Sequence, residues 1–143
     1  MGVLTVDGVQ EAQGSMKEAG DSRPVVLVVE DFEDNRFMMK RLLEMSGYRV
    51  VEAVNGNQAV ERAAGDHPDI ILMDLSLPQL DGLAATRRIR AQENSGRVPI
   101  VAVSAHDSAD FHAEALAAGC NEYVTKPIDF DQLVQLLDRL TAK

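Results

Sequence analysis

Most marks of a specialised protein class are scarce in this sequence. Its 143 residues contain one cysteine, no tryptophan, two tyrosines and four phenylalanines. A lone Cys120 cannot close an intramolecular disulfide, and the N-terminus lacks the basic-then-apolar order of a secretory signal, so a cytoplasmic setting is expected. Basic residues are few. Fourteen Lys and Arg against 23 Asp and Glu leave a net charge of −9, which repels phosphate backbones, so nucleic acid is not an expected partner. Long apolar runs are absent as well: Val25–Val29 and Ile70–Met73 hold five and four residues, where about 20 are needed to span a bilayer. The three histidines, His67, His106 and His112, are too scattered for a zinc site and read as surface residues. Cys120, between a helix-ending glycine and a strand, reads as a small packed residue.

What remains is ordinary for one globular domain: 45% hydrophobic and 26% charged residues, with enough chain to bury about 68–70% of its unfolded surface. Residues 1–22, with Gly, Ser, Gln and scattered acids and no periodicity, are expected to form a flexible extension. From Arg23 onward, through 23–143, the texture changes. Short apolar runs at Val25–Val29, Val50–Val54, Ile70–Met73, Ile100–Val103 and Glu122–Thr125 predict strands buried on both faces. Between them lie helical patterns. Met38, Leu42 and Met45 with Met39 and Leu43 form a stripe ended by Gly47, and Leu133, Leu136, Leu137 and Leu140 recur at helical spacing after Asp129, a candidate N-cap. Further helices fit Asn57–Ala64, Leu83–Gln92 and Ala109–Ala118, the last closed by Gly119. Strand and helix alternate five times, which predicts an α/β fold with a parallel sheet and helices on both faces.

Such sheets bind ligands outside the carboxyl ends of their strands. After the first strand stand Glu30 and Asp31, after the third Asp74, after the fourth Ser104 and after the fifth Lys126 followed by Pro127. Each alone has a bland reading, as solvated loop, turn, cap or surface charge. Together they would gather on one rim. Converging carboxylates repel by an amount on the order of several kcal/mol at intermediate dielectric, so the arrangement calls for a cation. Oxygen ligands and dense negative charge favour Mg²⁺, while Lys126 and Ser104 suit oxygens of a phosphoryl group.

The strings VVLVVEDFEDN, DIILMDLSLPQLDG, PIVAVSAH and AAGCNEYVTKPI resemble, in residue type, order and spacing, the response-regulator receiver domain of two-component signalling, over about residues 23–141. The resemblance implies a flavodoxin-like, doubly wound five-stranded sheet of order 2-1-3-4-5. It also implies Asp74 as phosphoacceptor, Mg²⁺ on Asp31, Asp74, the Ser76 carbonyl and, through water, Glu30, and Lys126 on a phosphoryl oxygen. Ser104 and Tyr123 would be the switch pair, and Ser76 and His106 would tune dephosphorylation. Glu at position 30 and Ser at position 104 are mild departures. By the same resemblance, the Lys126–Pro127 bond is expected to be cis and the phosphoryl donor is a histidine kinase or phosphotransfer protein. Output would be a downstream protein, or a second copy in a homodimer, meeting the face of the fourth helix, fifth strand and fifth helix. The chain would catalyse only its own phosphotransfer and autodephosphorylation.

Three other readings are weaker. A haloacid-dehalogenase-type phosphatase wants a second acid two residues after its nucleophile, where this chain has Ser76. A flavin or dinucleotide module needs a glycine-rich or hydroxyl-rich turn, which Val29-Glu30-Asp31-Phe32 does not offer. The receiver piece of a hybrid histidine kinase would carry the same motifs, but with no room for an output domain after the last helix, a stand-alone regulator is the expectation.

Overall fold

The computed structural model describes residues 21–77 and 81–142. The chain runs β1 (Val25–Val29), α1 (Glu33–Met45), β2 (Arg49–Ala53), α2 (Gly56–Asp66), β3 (Ile70–Asp74), α3 (Gly82–Ala91), β4 (Ile100–Ser104), α4 (Ala109–Ala118), β5 (Glu122–Thr125) and α5 (Phe130–Thr141). The strands form one sheet in the order β2-β1-β3-β4-β5, every neighbouring pair parallel. This is the doubly wound order that the receiver resemblance implies.

The period-2 geometry of a strand divides the core in two. Leu27, Val29, Ile71, Met73, Ile100 and Ala102 face one way, against Ala59 and Ala63 of α2, Ala85 and Ile89 of α3 and Ala115 of α4. Val26, Val28, Ile70, Leu72, Val101 and Val103 face the other way, against Leu43 of α1 and Leu133 and Leu137 of α5. Every residue of β1, β3 and β4 is buried. The edge strands β2 and β5 are largely half-buried. Small side chains on α2, α3 and α4 let three helices share one face; the leucines of α1 and α5 fill the other.

Helix starts are chemically marked. Asn55, Asp81, Ser108 and Asp129 each accept a hydrogen bond from the backbone N–H three residues on, satisfying a donor that has no partner within the helix. Several expected features differ in detail: β2 runs Arg49–Ala53 in place of Val50–Val54, and β2 and β5, expected to be buried on both faces, are largely half-buried because they lie at the sheet edges. Helix α2 runs through Gly65 to Asp66 and ends at His67, which takes the left-handed conformation at φ 48° in place of a glycine. The apolar stripe of α1 is broader than its contact: Leu43 is buried and Met39 packs on the core, but Met38 and Met45 are 54% and 78% exposed. A cylinder lying on a sheet touches it along one line, so residues at the stripe's margins stay in solvent. The predicted extension lies outside the described residues except for Asp21 and Ser22; Asp21 pairs with Arg23 and, at 3.4 Å, with Arg49 of β2.

Candidate functional site

The chain turns from β1 out to β2 and then steps back across to β3, so the carboxyl ends of β1 and β3 diverge at the switch point of the sheet. Glu30 and Asp31 follow β1 directly, and Asp74 is the last residue of β3. One carboxylate oxygen from each lies within 4.8 Å of those of the other two. Asp74 sits deepest, 5% exposed, while Asp31 is exposed and Glu30 half-buried. Burial pushes the Glu30 carboxyl above the ordinary carboxylate range; the Phe32 N–H, donating at 3.0 Å, opposes this, and the charges of Asp74 and Asp31 add to it. The acid cluster is thus under electrostatic tension that a cation relieves.

Asp74 is oriented by two donors. The Ser76 N–H donates to Oδ1 at 2.9 Å, and Lys126 Nζ lies 3.4 Å from Oδ2. Lys126 reaches across from the end of β5, where its own N–H donates to the Ser104 carbonyl at 2.8 Å and the bond to Pro127 is cis. Ser104, ending β4, is 1% exposed, and its hydroxyl accepts from the His106 N–H at 3.0 Å. The hydroxyl proton of Ser104 is left to donate elsewhere. Tyr123 in β5 packs its ring on the core and donates its hydroxyl to the His106 carbonyl at 2.8 Å.

The structure therefore brings Glu30, Asp31, Asp74 and Lys126 to one rim, with the Ser76 backbone beside them. Ser104 and Tyr123 join that rim through the backbone of His106. Beside the carboxylates a groove of about 360 Å³ opens between α1 and the β5–α5 turn, lined by Met38, Met39, Leu42, Ile128 and Phe130. Pro78, expected from the sequence to turn the chain after Asp74, lies outside the described residues. Cys120 is buried next to Thr86, and burial pushes its thiol up, away from thiolate character, as befits a packing residue.

Three residues carry more than their sequence context suggests. Gly82, which opens α3, leaves room for backbone: a Cβ there would lie 2.4 Å from the Asp74 carbonyl oxygen. Arg90 of α3 donates to the carbonyls of Gly119, Gly96 and Val98 and to the Asn121 side chain, fastening the loops on both sides of β4. His112, expected to be a surface residue, has a side chain 41% exposed and also stacks on Tyr123. Only the glycine has a signal in the sequence, its place at a helix start.

A parallel doubly wound α/β domain with an acid cluster, one lysine and one buried hydroxyl at its switch point is the class these features define. The chain belongs to the response regulator receiver domain family, whose profile matches residues 26–138. It is 37% identical over 126 residues to the transcriptional regulatory protein PrrA of Mycobacterium tuberculosis, which covers 88% of this chain but 53% of that one; the chain spans about half the length of this relative. It is 33% identical to the polar-differentiation response regulator DivK of Brucella suis over 78% of this chain and 91% of DivK. Among solved structures, the receiver domain of sensor histidine kinase PA1611 from Pseudomonas aeruginosa PAO1 aligns with TM-score 0.79 and 41% identity over 85% of this chain and all of that one, and it carries a magnesium ion coordinated in its active-site cleft. The chemotaxis protein CheY4 of Vibrio cholerae aligns with TM-score 0.79 and 27% identity over 83% of this chain and 99% of CheY4. Among the described residues no helix is long and apolar enough to cross a membrane.

Proposed function

We propose that this receiver accepts a phosphoryl group on Asp74 from a phosphohistidine of a histidine kinase or phosphotransfer protein, in a Mg²⁺-dependent step, and that phosphorylation alters the α4, β5 and α5 face for a downstream protein. The observation that carries this reading is the meeting of three carboxylates within 4.8 Å, with Lys126 on the deepest of them. The donor set suits Mg²⁺, being all oxygen, strongly anionic and open to water on the Asp31 side. Glu30, Asp31, Asp74 and the Ser76 carbonyl would hold the ion, which when bound neutralises the carboxylates and the charge on the transferred group.

The chain's own residues supply the rest. A carboxylate needs no general base at neutral pH, so Asp74 attacks phosphorus directly while the P–N bond to the donor imidazole breaks. The Ser76 N–H on Oδ1 and Lys126 beside Oδ2 hold the carboxylate in one orientation before attack. Lys126 then follows the charge to a phosphoryl oxygen, and Ser104 donates its hydroxyl proton to another. Ser76 and His106, both exposed, flank the approach of the water that later hydrolyses the acyl phosphate and tune its rate. The chain catalyses nothing beyond its own phosphorylation and dephosphorylation. The chain resembles both a response regulator and the receiver domain of a sensor histidine kinase, and the reading holds whether the receiver acts alone or within a kinase.

Incubation with acetyl phosphate and Mg²⁺ should raise the intact mass by one phosphoryl group. Asp74→Asn or a chelator should abolish the gain, and Lys126→Ala should slow it on the order of 10²-fold. Labelling that survives Asp74→Asn overturns the assignment.

A further inference from the structure

Tyr123 is held at three points. Its hydroxyl donates to the His106 carbonyl at 2.8 Å, its ring packs against the core cluster beneath α2, α3 and α4, and the imidazole of His112 from α4 stacks on it, centroids 3.9 Å apart and planes 26° apart. The N–H of the same His106 donates to the Ser104 hydroxyl at 3.0 Å. One residue's backbone thus joins the Tyr123 hydroxyl to the Ser104 hydroxyl. The loop is steadied further by the His106 ring, stacked on Phe111 at 4.2 Å.

The imidazole of His112 makes no hydrogen bond through Nε2 among the described residues, and its charged neighbour is Asp107, an ion-pair partner only when the ring is protonated. That nitrogen is buried, and Asp107 Oδ1 lies 3.8 Å away, beyond hydrogen-bond reach. Asp107 is instead approached by the Thr125 hydroxyl at 3.4 Å. The imidazole meets the Tyr123 ring as a close stack, its centroid separation of 3.9 Å shorter than the roughly 4.5–7 Å usual for aromatic pairs.

We propose that His112 is a positioning residue: by stacking it seats the Tyr123 ring, and through the His106 backbone it keeps the Ser104 hydroxyl placed for the phosphoryl group. The inference rests on the reading of Asp74 as acceptor. The seated arrangement exists before any phosphoryl group arrives, so part of the ordering that phosphorylation requires is already complete. Aromatic pairs correspond to roughly two- to tenfold in an equilibrium, and because only the part that biases the seated arrangement reaches binding, His112→Ala should weaken beryllofluoride binding by up to about that factor.

The test has two readouts in the full chain: the Tyr123 ring resonances without any phosphoryl analogue, and the affinity for beryllofluoride with Mg²⁺. His112→Ala should shift and average the Tyr123 ring signals and weaken beryllofluoride. His112→Phe keeps a ring and removes the unpartnered nitrogen, so it should restore both to at least the wild-type level. Asp107→Asn should change neither. The proposal is overturned if His112→Ala leaves the Tyr123 signals as they were, if His112→Phe behaves like the alanine variant, or if Asp107→Asn reproduces it, which would make the tether ionic. A wild-type chain that fails to bind beryllofluoride sinks the phosphoacceptor reading instead, and the Tyr123 signals alone then decide the role of His112.

Discussion

At the scale of single residues, the site depends as much on a missing side chain as on those present. Gly82 brings the start of α3 against the β3 end so closely that an added Cβ would lie 2.4 Å from the Asp74 carbonyl oxygen and 2.7 Å from Leu75 Cα. Both are backbone atoms and cannot swing aside. Gly82→Ala must therefore push α3 off the end of β3, with an expected loss of about 1–3 kcal/mol in stability and slower phosphorylation. Gly65→Ala is the contrasting case. Nothing lies within 4 Å of the site for its Cβ, and in the last turns of α2 alanine should be neutral or stabilising by up to about 1 kcal/mol. Equal midpoints for the two variants in urea melts would contradict this account.

At the scale of elements, α5 is held to the sheet by more than apolar packing. Helix α5 is anchored by its leucines and by a polar tie, the Tyr48 hydroxyl donating to Asp138 at 2.6 Å. Tyr48 precedes β2 and is 1% exposed. Burial, with the Asp138 carboxylate acting in the same direction, pushes its phenol up to about 12. Because the folded state holds this proton more tightly than the unfolded chain, whose tyrosine titrates near 10, the associated stability is fully present below about pH 10 and is lost as pH rises through about 12. The expected loss is on the order of 2 kcal/mol. Stability measured by denaturant melts from pH 9 to 12 should fall more steeply in wild type than in Tyr48→Phe; parallel curves would remove Tyr48 as the cause. The same variant removes the hydrogen bond to Asp138, which is exposed and stays hydrated, and should lower stability at pH 7 by about 1 kcal/mol.

At the scale of the whole molecule, one sheet with two faces carries two separate apolar cores, and its rim concentrates part of a net charge of −9 on three adjacent carboxylates. The fold holds these acids together against their repulsion. A divalent cation that binds the folded rim and not the unfolded chain must stabilise the fold, by about 2.7 kcal/mol at a concentration 100 times its Kd. Thermal melts should accordingly shift upward by several degrees with added Mg²⁺, saturably, and Asp31→Asn should lose most of the shift. A wild-type melting temperature indifferent to millimolar Mg²⁺ would remove the ion from this rim.

Much of this was legible in the sequence because it is written in contiguous residues. A strand covered on both faces must be apolar throughout, and a helix lying on a sheet must repeat its apolar residues at helical spacing, so Val25–Val29, Ile70–Met73 and the leucines of the last helix declare themselves. The site residues declare themselves too, since each directly follows or ends such a run. Tertiary structure alone decided how far side chains at the margins of a stripe are covered, which is why Met38 and Met45 remain in solvent. It also decided the Arg90 bonds to three backbone carbonyls, the closeness of Gly82 to Asp74 and the seat of Tyr123 under His112. These are meetings between segments distant along the chain, often through backbone atoms that every residue shares, and no local pattern of side chains records them.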